Sequence, residues 1–345
     1  MIKCVIWDID NTLLDGIYLE AADQLPDADR ELAGVARELA SRGILQALAS
    51  RNPPEAADYV QAVTGLEFAA AECGWESKAE SIERIAAELQ LGQDAMAFVD
   101  DDMLERAEVS ASLPDVVVLT PEEAADAPNW PQFNPEVITA ESRHRGEMYA
   151  ARRRRESAAQ EFGGSREEFL RKAGTRITIG RASQQHVPRL HELSVRTHQL
   201  NSAGEPWTQD ELARLVESGE HVVPGVMLAD DFGDDGLVGA AVMQTHPAGA
   251  YQVPLVMMSC RALGRGALDA LLAWLCDAAA VAGAAEIQVP CLVTQRNVPM
   301  RLALAAAGLR AEPAEVAPDG RAIFSRRLTG QLPELPAYVE VRDRL

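Results

Sequence analysis

Residues 3–13 read KCVIWDIDNTL, an apolar run that ends in two acidic residues and then Asn-Thr. Apolar residues without alternation, several of them β-branched, are typical of a strand buried on both faces of a parallel sheet. Asp8 and Asp10 are two residues apart, so a strand end would place both carboxylates on one face. The stretch predicts a buried strand whose carboxyl end carries functional groups.

Further strands and helices alternate downstream of this stretch. Apolar segments at 44–50, 95–101 and 114–120 are separated by helical patterns, including one at 29–42 that stops at Gly43. Repeated βα units predict an open parallel sheet covered by helices, and ligands of such sheets lie beyond the carboxyl ends of the strands. We therefore predict an α/β domain over residues 1–128.

The rest of the 345-residue chain has a different pattern. Residues 129–174 combine a proline-rich stretch, PNWPQFNP, with a charged helical segment, and we interpret them as a linker and bridging helix. Residues 175–330 mix strand and helix patterns without regular alternation, which predicts an α+β domain large enough for its own core. Residues 331–345 would form a C-terminal tail.

Composition excludes several classes of protein. With 32 basic and 53 acidic residues, the net charge is −21, which opposes binding to a nucleic-acid backbone. No apolar run approaches the ~18 residues of a membrane span, and carboxylates interrupt the start where a secretory signal would be apolar. The five cysteines are odd in number and widely spaced, so we expect reduced thiols in a cytoplasmic protein with no membrane association.

Polar groups at several predicted strand ends form a first candidate site. They are Asp8, Asp10, Thr12, Ser50, Lys78, Asp100 and Asp101. A carboxylate can act as a phosphoryl nucleophile, a second can move a proton, hydroxyl and ammonium groups can hold phosphoryl oxygens, and hard oxygen ligands suit Mg²⁺. Capped strand ends without chemistry are the alternative, and for Lys78 alone an exposed helix lysine would be the simpler interpretation.

The order and spacing of these groups resemble the haloacid dehalogenase superfamily over residues 1–125. The resemblance implies that Asp8 is the nucleophile and that Asp10 is the general acid and base. It also implies a Mg²⁺ site formed by Asp8, Asp100 and the backbone carbonyl of Asp10. Thr12, Ser50 and Lys78 would hold the substrate phosphate. The stretch after Thr12 is too short for a large cap domain.

A second candidate site lies in residues 255–272, LVMMSCRALGRGALDALL. A strand that runs into R-x-x-G-x-G and then a helix is typical of a turn that binds an anion with backbone N–H groups. The arrangement resembles the acyl-CoA loop of the GNAT acyltransferases, and the segment around Asn297 resembles a later part of that fold. The implied pantetheine ligands are Arg261, Gly264, Arg265, Gly266 and Asn297. An ordinary tight turn is the alternative.

Cys260 ends the strand before this turn, and we predict that it is a nucleophile. A helix N-terminus and Arg261 would lower the pKa of its thiol and favour the thiolate. The alternative is a small buried side chain, the usual fate of a free cysteine, which we expect for Cys4 and Cys276. Cys73, near Lys78, is the rival nucleophile. The histidines that could serve as a base are His198, His221 and His246, and the sequence leaves the choice open.

Together the two halves resemble the FkbH-like family over nearly the whole chain, through KCVIWDIDNTL, SRN, FVDDDMLER, RTHQLN and MSCRALGRG. The resemblance implies a glyceryl transferase and phosphatase of polyketide assembly. An enzyme thiol would attack D-1,3-bisphosphoglycerate, an acyl phosphate, and the remaining phosphate would be removed with Mg²⁺. The glyceryl group would then pass to the phosphopantetheine thiol of an acyl carrier protein.

Two segments depart from the family's usual sequence. Leu14-Asp15-Gly16 replaces Trp-Gly-Gly, and His198-Gln199-Leu200-Asn201 replaces Asn-Gln-Phe-Asn, so the identity of the acyl group stays open. Carrier proteins are acidic, and a local basic patch would be needed for docking. Arg152–Arg155, or Arg261 with Arg265, could provide it, although a solvated helix face also explains the arginine run.

Two other hypotheses for the function of the chain remain. One is a Mg²⁺-dependent phosphatase with a non-catalytic second domain, and the other is a docking module without chemistry.

Overall fold

The computed structural model describes residues 1–20, 24–135, 138–245, 250–316, 320–330, 332–335 and 339–341. The chain divides into two compact units, Met1–Arg154 and Arg155–Leu345. The division falls inside the segment that the sequence predicts as linker and bridging helix. Among the helices of the described residues, none has the length and apolar character needed to cross a membrane.

The first unit contains a five-stranded sheet in which all pairings are parallel. Its strands are β1 Cys4–Trp7, β2 Leu45–Ser50, β3 Ala70–Cys73, β4 Met96–Val99 and β5 Val117–Leu119, in the spatial order β3-β2-β1-β4-β5. Its helices are α1 Arg30–Ser41, α2 Glu55–Thr64, α3 Lys78–Leu89, α4 Met103–Ser112, α5 Pro121–Asp126 and α6 Ala140–Arg143. A further helix, α7 Arg145–Glu161, contains the division between the units.

The sheet of this unit is buried on both faces, as the apolar strand sequences predict. All residues of β1, β2 and β4 are buried, and the only long polar side chain among them, Gln46, accepts a 2.8 Å hydrogen bond from Trp7 Nε1. Because β1 lies between β2 and β4, the residues that follow these three strands meet at one edge. This edge carries Asp8, Ser50 and Asp100.

The second unit contains a larger mixed sheet. Its strands are β6 Arg176–Arg181, β7 His221–Val222, β8 Pro224–Asp230, β9 Gly233–Thr245, β10 Ala250–Met258, β11 Glu286–Leu292, β12 Arg310–Val316, β13 Arg321–Arg327 and β14 Val339–Val341. Its helices are α8 Arg166–Lys172, α9 Val187–Arg196, α10 Gln209–Glu217, α11 Ala267–Val281 and α12 Val298–Ala306. The spatial order is β12-β13-β11-β10-β9-β8-β6-β14, with β7 beside β9. The predicted architecture, a parallel α/β domain followed by an α+β domain, is confirmed.

Strands β10 and β11 pair only at one end. Parallel pairing joins Ala250–Gln252 to Glu286–Gln288, and a register shift follows in β10 between Gln252 and Leu255. This shift contains Pro254, and β11 contains Pro290; neither residue has an N–H to extend the ladder. The two strands therefore leave a gap beyond the register shift.

The chain's own segment Leu200–Ser202 fills this gap. On the β10 side, Ser202 N donates to Val256 O at 3.0 Å and Met258 N donates to Leu200 O at 2.9 Å. On the β11 side, Leu292 N donates to Ser202 O at 2.9 Å. The segment is buried and acts as a short connecting strand between β10 and β11.

Candidate active site

The nucleophile predicted from the sequence, Asp8, lies directly after β1 and is buried. The chain then makes a single wide helical turn, Ile9–Leu13, in which Asn11 has a φ of 49°. Asparagine tolerates this left-handed conformation better than most residues. The turn buries the side chain of Thr12 and leaves Asp10 half-buried.

Lys78 is the first residue of α3, whose N-cap is Ser77. Its ammonium group is buried, pairs with Asp8, lies 3.3 Å from Asp100 Oδ2 and donates to Ala49 O at 2.6 Å. Burial alone would lower the pKa of Lys78, but the charges of Asp8 and Asp100 outweigh it, and the pKa is raised. Lys78 is therefore a fixed cation between two carboxylates rather than an exposed helix lysine.

Three carboxylates form a candidate metal site. Oxygens of Asp8, Asp100 and Asp101 all lie within 4.8 Å of one another. Burial raises the pKa of Asp8 although Lys78 opposes the shift, and burial followed by the charge of Asp8 raises the pKa of Asp100 to about 7. Asp8 and Asp100 are buried and Asp101 is exposed, and a divalent cation with oxygen preference would stabilise carboxylates crowded in this way. Asp101 is a member that the sequence analysis did not assign as a ligand.

The carboxylate of Asp10, which is not a member of this cluster, accepts two hydrogen bonds. Tyr18 N donates to Oδ1 at 2.8 Å, and Asn52 Nδ2 donates to Oδ2 at 2.9 Å. Asn52 is fully buried, and its amide also contacts Ser50 Oγ at 3.1 Å. Asn52 is the last residue of the SRN segment and had no predicted role; its position two residues after the predicted strand was the available signal.

Buried polar atoms without a partner mark the same site. Among the described residues, Thr12 Oγ1 and Asn52 Oδ1 make no hydrogen bond, and Asp100 Oδ2 has only its ion-pair contact with Lys78. Buried polar groups are nearly always paired in folded proteins. Two unpaired atoms and a carboxylate oxygen with a single ion-pair contact at one sheet edge indicate a site that takes a polar ligand, and these oxygen groups fit a phosphoryl group together with Mg²⁺.

The second candidate site has the predicted backbone but not all of the predicted side-chain roles. Gly264 and Gly266 have φ values of 76° and 77°, and Gly266 is the N-cap of α11. The guanidinium of Arg166 lies over Gly264, where Nε donates to the carbonyl oxygen at 2.6 Å. A Cβ on Gly264 would meet the movable end of the Arg166 side chain, so it is the positive φ that favours glycine at this position.

The side chain of Arg265 is held by carboxylates, and its predicted contact with pantetheine stays a prediction. Its side chain is buried, lies 2.7 Å from Asp230 Oδ2 and pairs with Asp235. Arg155 joins the cluster through hydrogen bonds of 2.5 and 2.9 Å to Asp230. Two carboxylates neutralise two guanidinium groups here.

The buried arginines also correct the predicted docking patches. Arg155, Arg261 and Arg265 are each less than a tenth exposed, and Arg153 donates to Phe68 O at 2.7 Å. A docking surface requires cations that face solvent. Neither Arg152–Arg155 nor the pair Arg261 and Arg265 therefore forms a docking surface with all of its members.

Asn297 makes internal hydrogen bonds, and its predicted contact with pantetheine stays a prediction. It is buried, and its Oδ1 accepts from Thr294 N at 3.1 Å. Its Nδ2 donates to Leu292 O at 2.5 Å and lies 3.4 Å from Asn201 O. Asn297 therefore ties the start of α12 to β11 and to the segment that fills the gap.

The candidate thiols differ in their surroundings. Cys260 is half-buried at the start of a 3₁₀ turn, Cys260–Ala262. Burial raises the pKa of the rival nucleophile Cys73 to about 11, which leaves little thiolate at neutral pH. Burial does the same for Cys276, as expected for a core residue.

The candidate bases are dispersed. His198 is exposed, and His221 is half-buried with Nδ1 3.1 Å from Ser218 Oγ. His246 lies outside the described residues. The structure gives His198 and His221 different environments, and the base for Cys260 stays a prediction.

Parts of the chain are similar to solved structures. One is the N-terminal part of a Bacteroides fragilis protein, containing a phosphatase domain complexed with Mg, at 29% identity over 36% of this chain and 38% of that chain, with a TM-score of 0.32. A putative GNAT-family acetyltransferase from Desulfovibrio desulfuricans is 18% identical over 44% of this chain and 99% of its own, with a TM-score of 0.36. A ribosomal-protein alanine N-acetyltransferase from Escherichia coli is 16% identical over 46% and 98%, with a TM-score of 0.35.

The match to the Bacteroides fragilis protein spans less than two thirds of that protein's length. The chain matches no protein-family model and no curated protein.

Proposed function

We propose that the first unit is a Mg²⁺-dependent phosphoryl-transfer site and that the chain is an FkbH-like glyceryl transferase and phosphatase. The observation that carries the first part is the convergence of Asp8, Lys78 and Asp100 at one sheet edge, beside unpaired polar atoms of Thr12 and Asn52. The second part rests on the sequence resemblance and on the position of Cys260.

Asp8 attacks the phosphorus atom of a phosphate ester in this mechanism. A bond forms between a carboxylate oxygen and phosphorus, and the ester oxygen leaves with a proton from Asp10. Water then attacks the aspartyl phosphate, Asp10 takes the proton, and inorganic phosphate leaves. Lys78 holds Asp8 in place, and Thr12 has an unused hydroxyl for a phosphoryl oxygen.

Asp8, Asp100 and Asp101 would hold the Mg²⁺ ion. When bound, the ion supplies positive charge against the phosphoryl oxygens and against the crowded carboxylates. The predicted backbone ligand, Asp10 O, remains part of the proposal.

The acyl-transfer half of the proposal uses the thiolate of Cys260. The thiolate attacks the acyl carbonyl of D-1,3-bisphosphoglycerate, the bond from that carbonyl to the phosphate oxygen breaks, and inorganic phosphate leaves. After the first unit removes the second phosphate, the pantetheine thiol of an acyl carrier protein attacks the thioester. The Cys260 thiol is released, and the glyceryl group is bound to the carrier.

A Mg²⁺-dependent phosphatase with a non-catalytic second unit is the second candidate function. A specific observation favours it: Arg265 and Asn297, two predicted pantetheine ligands, are engaged in internal contacts. In addition, Leu200–Ser202 already fills the gap between β10 and β11. A phosphatase would require none of these residues to contact substrate.

Intact-protein mass spectrometry separates the two candidates. The full chain is mixed with Mg²⁺, freshly generated D-1,3-bisphosphoglycerate and a phosphopantetheinylated carrier protein. We expect a glyceryl adduct on the carrier and a transient adduct on the enzyme that maps to Cys260. Cys260→Ser should abolish both adducts, and Cys276→Ser, a buried thiol of the same unit, is the matched control.

Two outcomes would contradict the proposal at different levels. Release of phosphate without an adduct on either protein would leave the phosphatase and remove the transferase. Absence of Mg²⁺-dependent phosphate release, in the intact chain and for simple phosphate esters, would remove the phosphoryl-transfer site itself.

A further inference from the structure

Glu105 brings a further carboxylate to the sheet edge that carries Asp8 and Asp100. It lies in the first turn of α4, and its side chain is 14% exposed. Oε1 lies 3.1 Å from Arg51 Nη2, whereas Oε2 is buried and has no hydrogen-bond partner among the described residues. Buried polar atoms are nearly always paired, so the unpaired Oε2 indicates a partner that the chain itself does not provide.

The contact with Arg51 locates the Glu105 carboxylate on this edge. Arg51 directly follows β2, and Glu105 lies in the helix that follows β4. Strand β1 lies between β2 and β4, and Asp8 directly follows β1. An ion pair between Arg51 and Glu105 therefore spans the edge beside Asp8.

The charge of Lys78 also reaches Glu105. Burial raises the pKa of Glu105, and the positive charges of Arg51 and Lys78 oppose this shift. Lys78 lies between Asp8 and Asp100, so Glu105 is close to the candidate metal site. It is not a member of the three-carboxylate cluster, whose oxygens all lie within 4.8 Å of one another.

A Mg²⁺ ion needs more ligands than this cluster provides. Mg²⁺ binds in octahedral geometry and usually keeps several water ligands. Groups that accept hydrogen bonds from the ligands of a metal fix their orientation, and loss of such a group typically lowers metal affinity by about 10- to 100-fold. Glu105 Oε2 is a buried, unpaired acceptor next to the cluster, which suits this role.

We propose that Glu105 positions Mg²⁺ at the cluster of Asp8, Asp100 and Asp101, where Oε2 accepts a hydrogen bond from a water ligand of the ion. The proposal rests on the Mg²⁺ site of the proposed function and does not depend on Cys260. Glu105 is a positioning residue, because it acts on the ion through water and not on the phosphate ester. Its other oxygen is held by a guanidinium group, so the carboxylate is oriented before the ion binds, and less ordering is needed on binding.

Isothermal titration calorimetry with MgCl₂ measures the affinity without turnover. The full chain is titrated in the absence of a phosphate ester. We expect Glu105→Gln to weaken Mg²⁺ binding by about tenfold or more. Glu105→Asp keeps the charge but moves the carboxylate back by one methylene group, so it should also weaken binding, and it keeps the test valid if Glu105→Gln fails to fold.

Glu108→Gln is the matched control for the loss of a negative charge. Glu108 lies further along α4, its side chain is 40% exposed, and its Oε2 lies 3.9 Å from the same Arg51 nitrogen. This variant should change the Mg²⁺ affinity much less, because exposed charges are screened.

Arg51→Gln separates the proposal from a purely structural role of Glu105. If Glu105 only held Arg51 in place, Arg51→Gln would weaken Mg²⁺ binding as much as Glu105→Gln does. We expect Arg51→Gln to leave the affinity unchanged or to raise it, because it removes a positive charge near the ion. The phosphatase kcat of Glu105→Gln should also recover as the Mg²⁺ concentration is raised, whereas the kcat of a damaged fold would not.

The outcomes distinguish this inference from the proposed function. Equal Mg²⁺ affinities of the wild-type protein and both Glu105 variants would overturn the role of Glu105 and leave the Mg²⁺ site in place. Equal losses in Glu105→Gln and Glu108→Gln would also overturn it, since net charge alone would then explain the effect. Absence of Mg²⁺ binding to the wild-type protein would contradict the Mg²⁺ site itself, and the inference with it.

Discussion

Asn52 donates a 2.9 Å hydrogen bond to the Asp10 carboxylate although 42 residues separate them. This contact and the one from Tyr18 N are the two hydrogen bonds that orient Asp10. A general acid must be held within reach of the leaving oxygen to transfer its proton. Asn52 is therefore a positioning residue for the proposed phosphatase reaction.

Replacement of Asn52 should lower phosphatase turnover more than it affects substrate binding. We expect Asn52→Ala to reduce kcat for a simple aryl phosphate by about 10- to 100-fold, within the contribution of a general acid, with a smaller change in KM. The reduction in kcat should be smaller for phosphate esters with good leaving groups, because the departure of these groups needs less proton transfer. Steady-state kinetics with aryl phosphates of graded leaving-group pKa measures both.

Asn129→Ala is the control for this variant. Asn129 is exposed in the same unit, and its side chain contacts only Asp126, at 2.7 Å. Equal activity of Asn52→Ala and the wild-type protein would show that Tyr18 N alone suffices to orient Asp10.

Lys78 should stabilise the fold in the absence of metal ions. Its ammonium group is the cation between buried Asp8 and Asp100, and loss of one partner of a buried ion pair costs about 3–5 kcal/mol. We expect Lys78→Met to lower the thermal unfolding midpoint in a chelator. Mg²⁺ should restore more stability to this variant than to the wild-type protein, because no ammonium group then opposes the cation.

Lys172→Met provides the comparison for this measurement, since Lys172 is exposed and lies over the Phe162 ring. Differential scanning fluorimetry with increasing Mg²⁺ gives the shift for each protein. A Mg²⁺-induced shift that is the same in all three proteins would argue against metal binding at the carboxylate cluster.

The convergence of Asp8, Ser50 and Asp100 at one sheet edge was predictable because it depends on local sequence. The apolar run before Asp8 predicts a buried strand, and parallel strands bring their carboxyl ends together whatever the details of packing. The same logic placed Ser50 and Asp100 near Asp8. The expected architecture of both units is confirmed by the parallel sheet of the first and the mixed sheet of the second.

The contacts of Arg265 and Leu200–Ser202 were not predictable from the sequence, because each depends on a partner far away in the chain. Arg265 pairs with Asp230 and Asp235, which lie 35 and 30 residues earlier in the chain. The R-x-x-G-x-G pattern does not include these carboxylates and therefore does not predict the pairing. Helix α10 was also missed. Thr208 and Glu211 form a capping box at its N-terminus, a pattern that predicts the start of a helix from sequence.

The stability of the second unit should depend on pH through Asp230. Burial would raise the pKa of Asp230, but the hydrogen bond from Arg155 and the charge of Arg265 outweigh it, and the pKa lies below its ordinary value. A carboxyl group whose folded-state pKa is lowered stabilises the fold above its unfolded-state pKa, and this contribution is lost as the pH falls through the folded-state pKa. The wild-type advantage over Asp230→Asn should therefore be complete at pH 7 and shrink below about pH 4.

Asp231→Asn is the matched control, because the neighbouring carboxylate is 66% exposed. We expect Asp230→Asn to destabilise the second unit at pH 7 by about 3–5 kcal/mol, the cost of breaking a buried ion pair, and Asp231→Asn to change little. Urea unfolding between pH 3 and 7 measures the difference. A constant difference between Asp230→Asn and the wild-type protein over this range would contradict the role of the Asp230 charge.

Ser202 connects β10 and β11 through both its side chain and its backbone. Its Oγ accepts from Val256 N at 2.8 Å, and its carbonyl oxygen accepts from Leu292 N at 2.9 Å. Ser202→Ala leaves the buried Val256 N–H without its acceptor, which costs about 1–3 kcal/mol, while the contact with Leu292 remains. We expect faster hydrogen exchange at Val256 N and little change at Leu292 N, with Ser183→Ala, an exposed serine, as the control. Unchanged exchange at Val256 N would mean that the Ser202 hydroxyl does not protect this amide, and the segment would then be held by its backbone contacts alone.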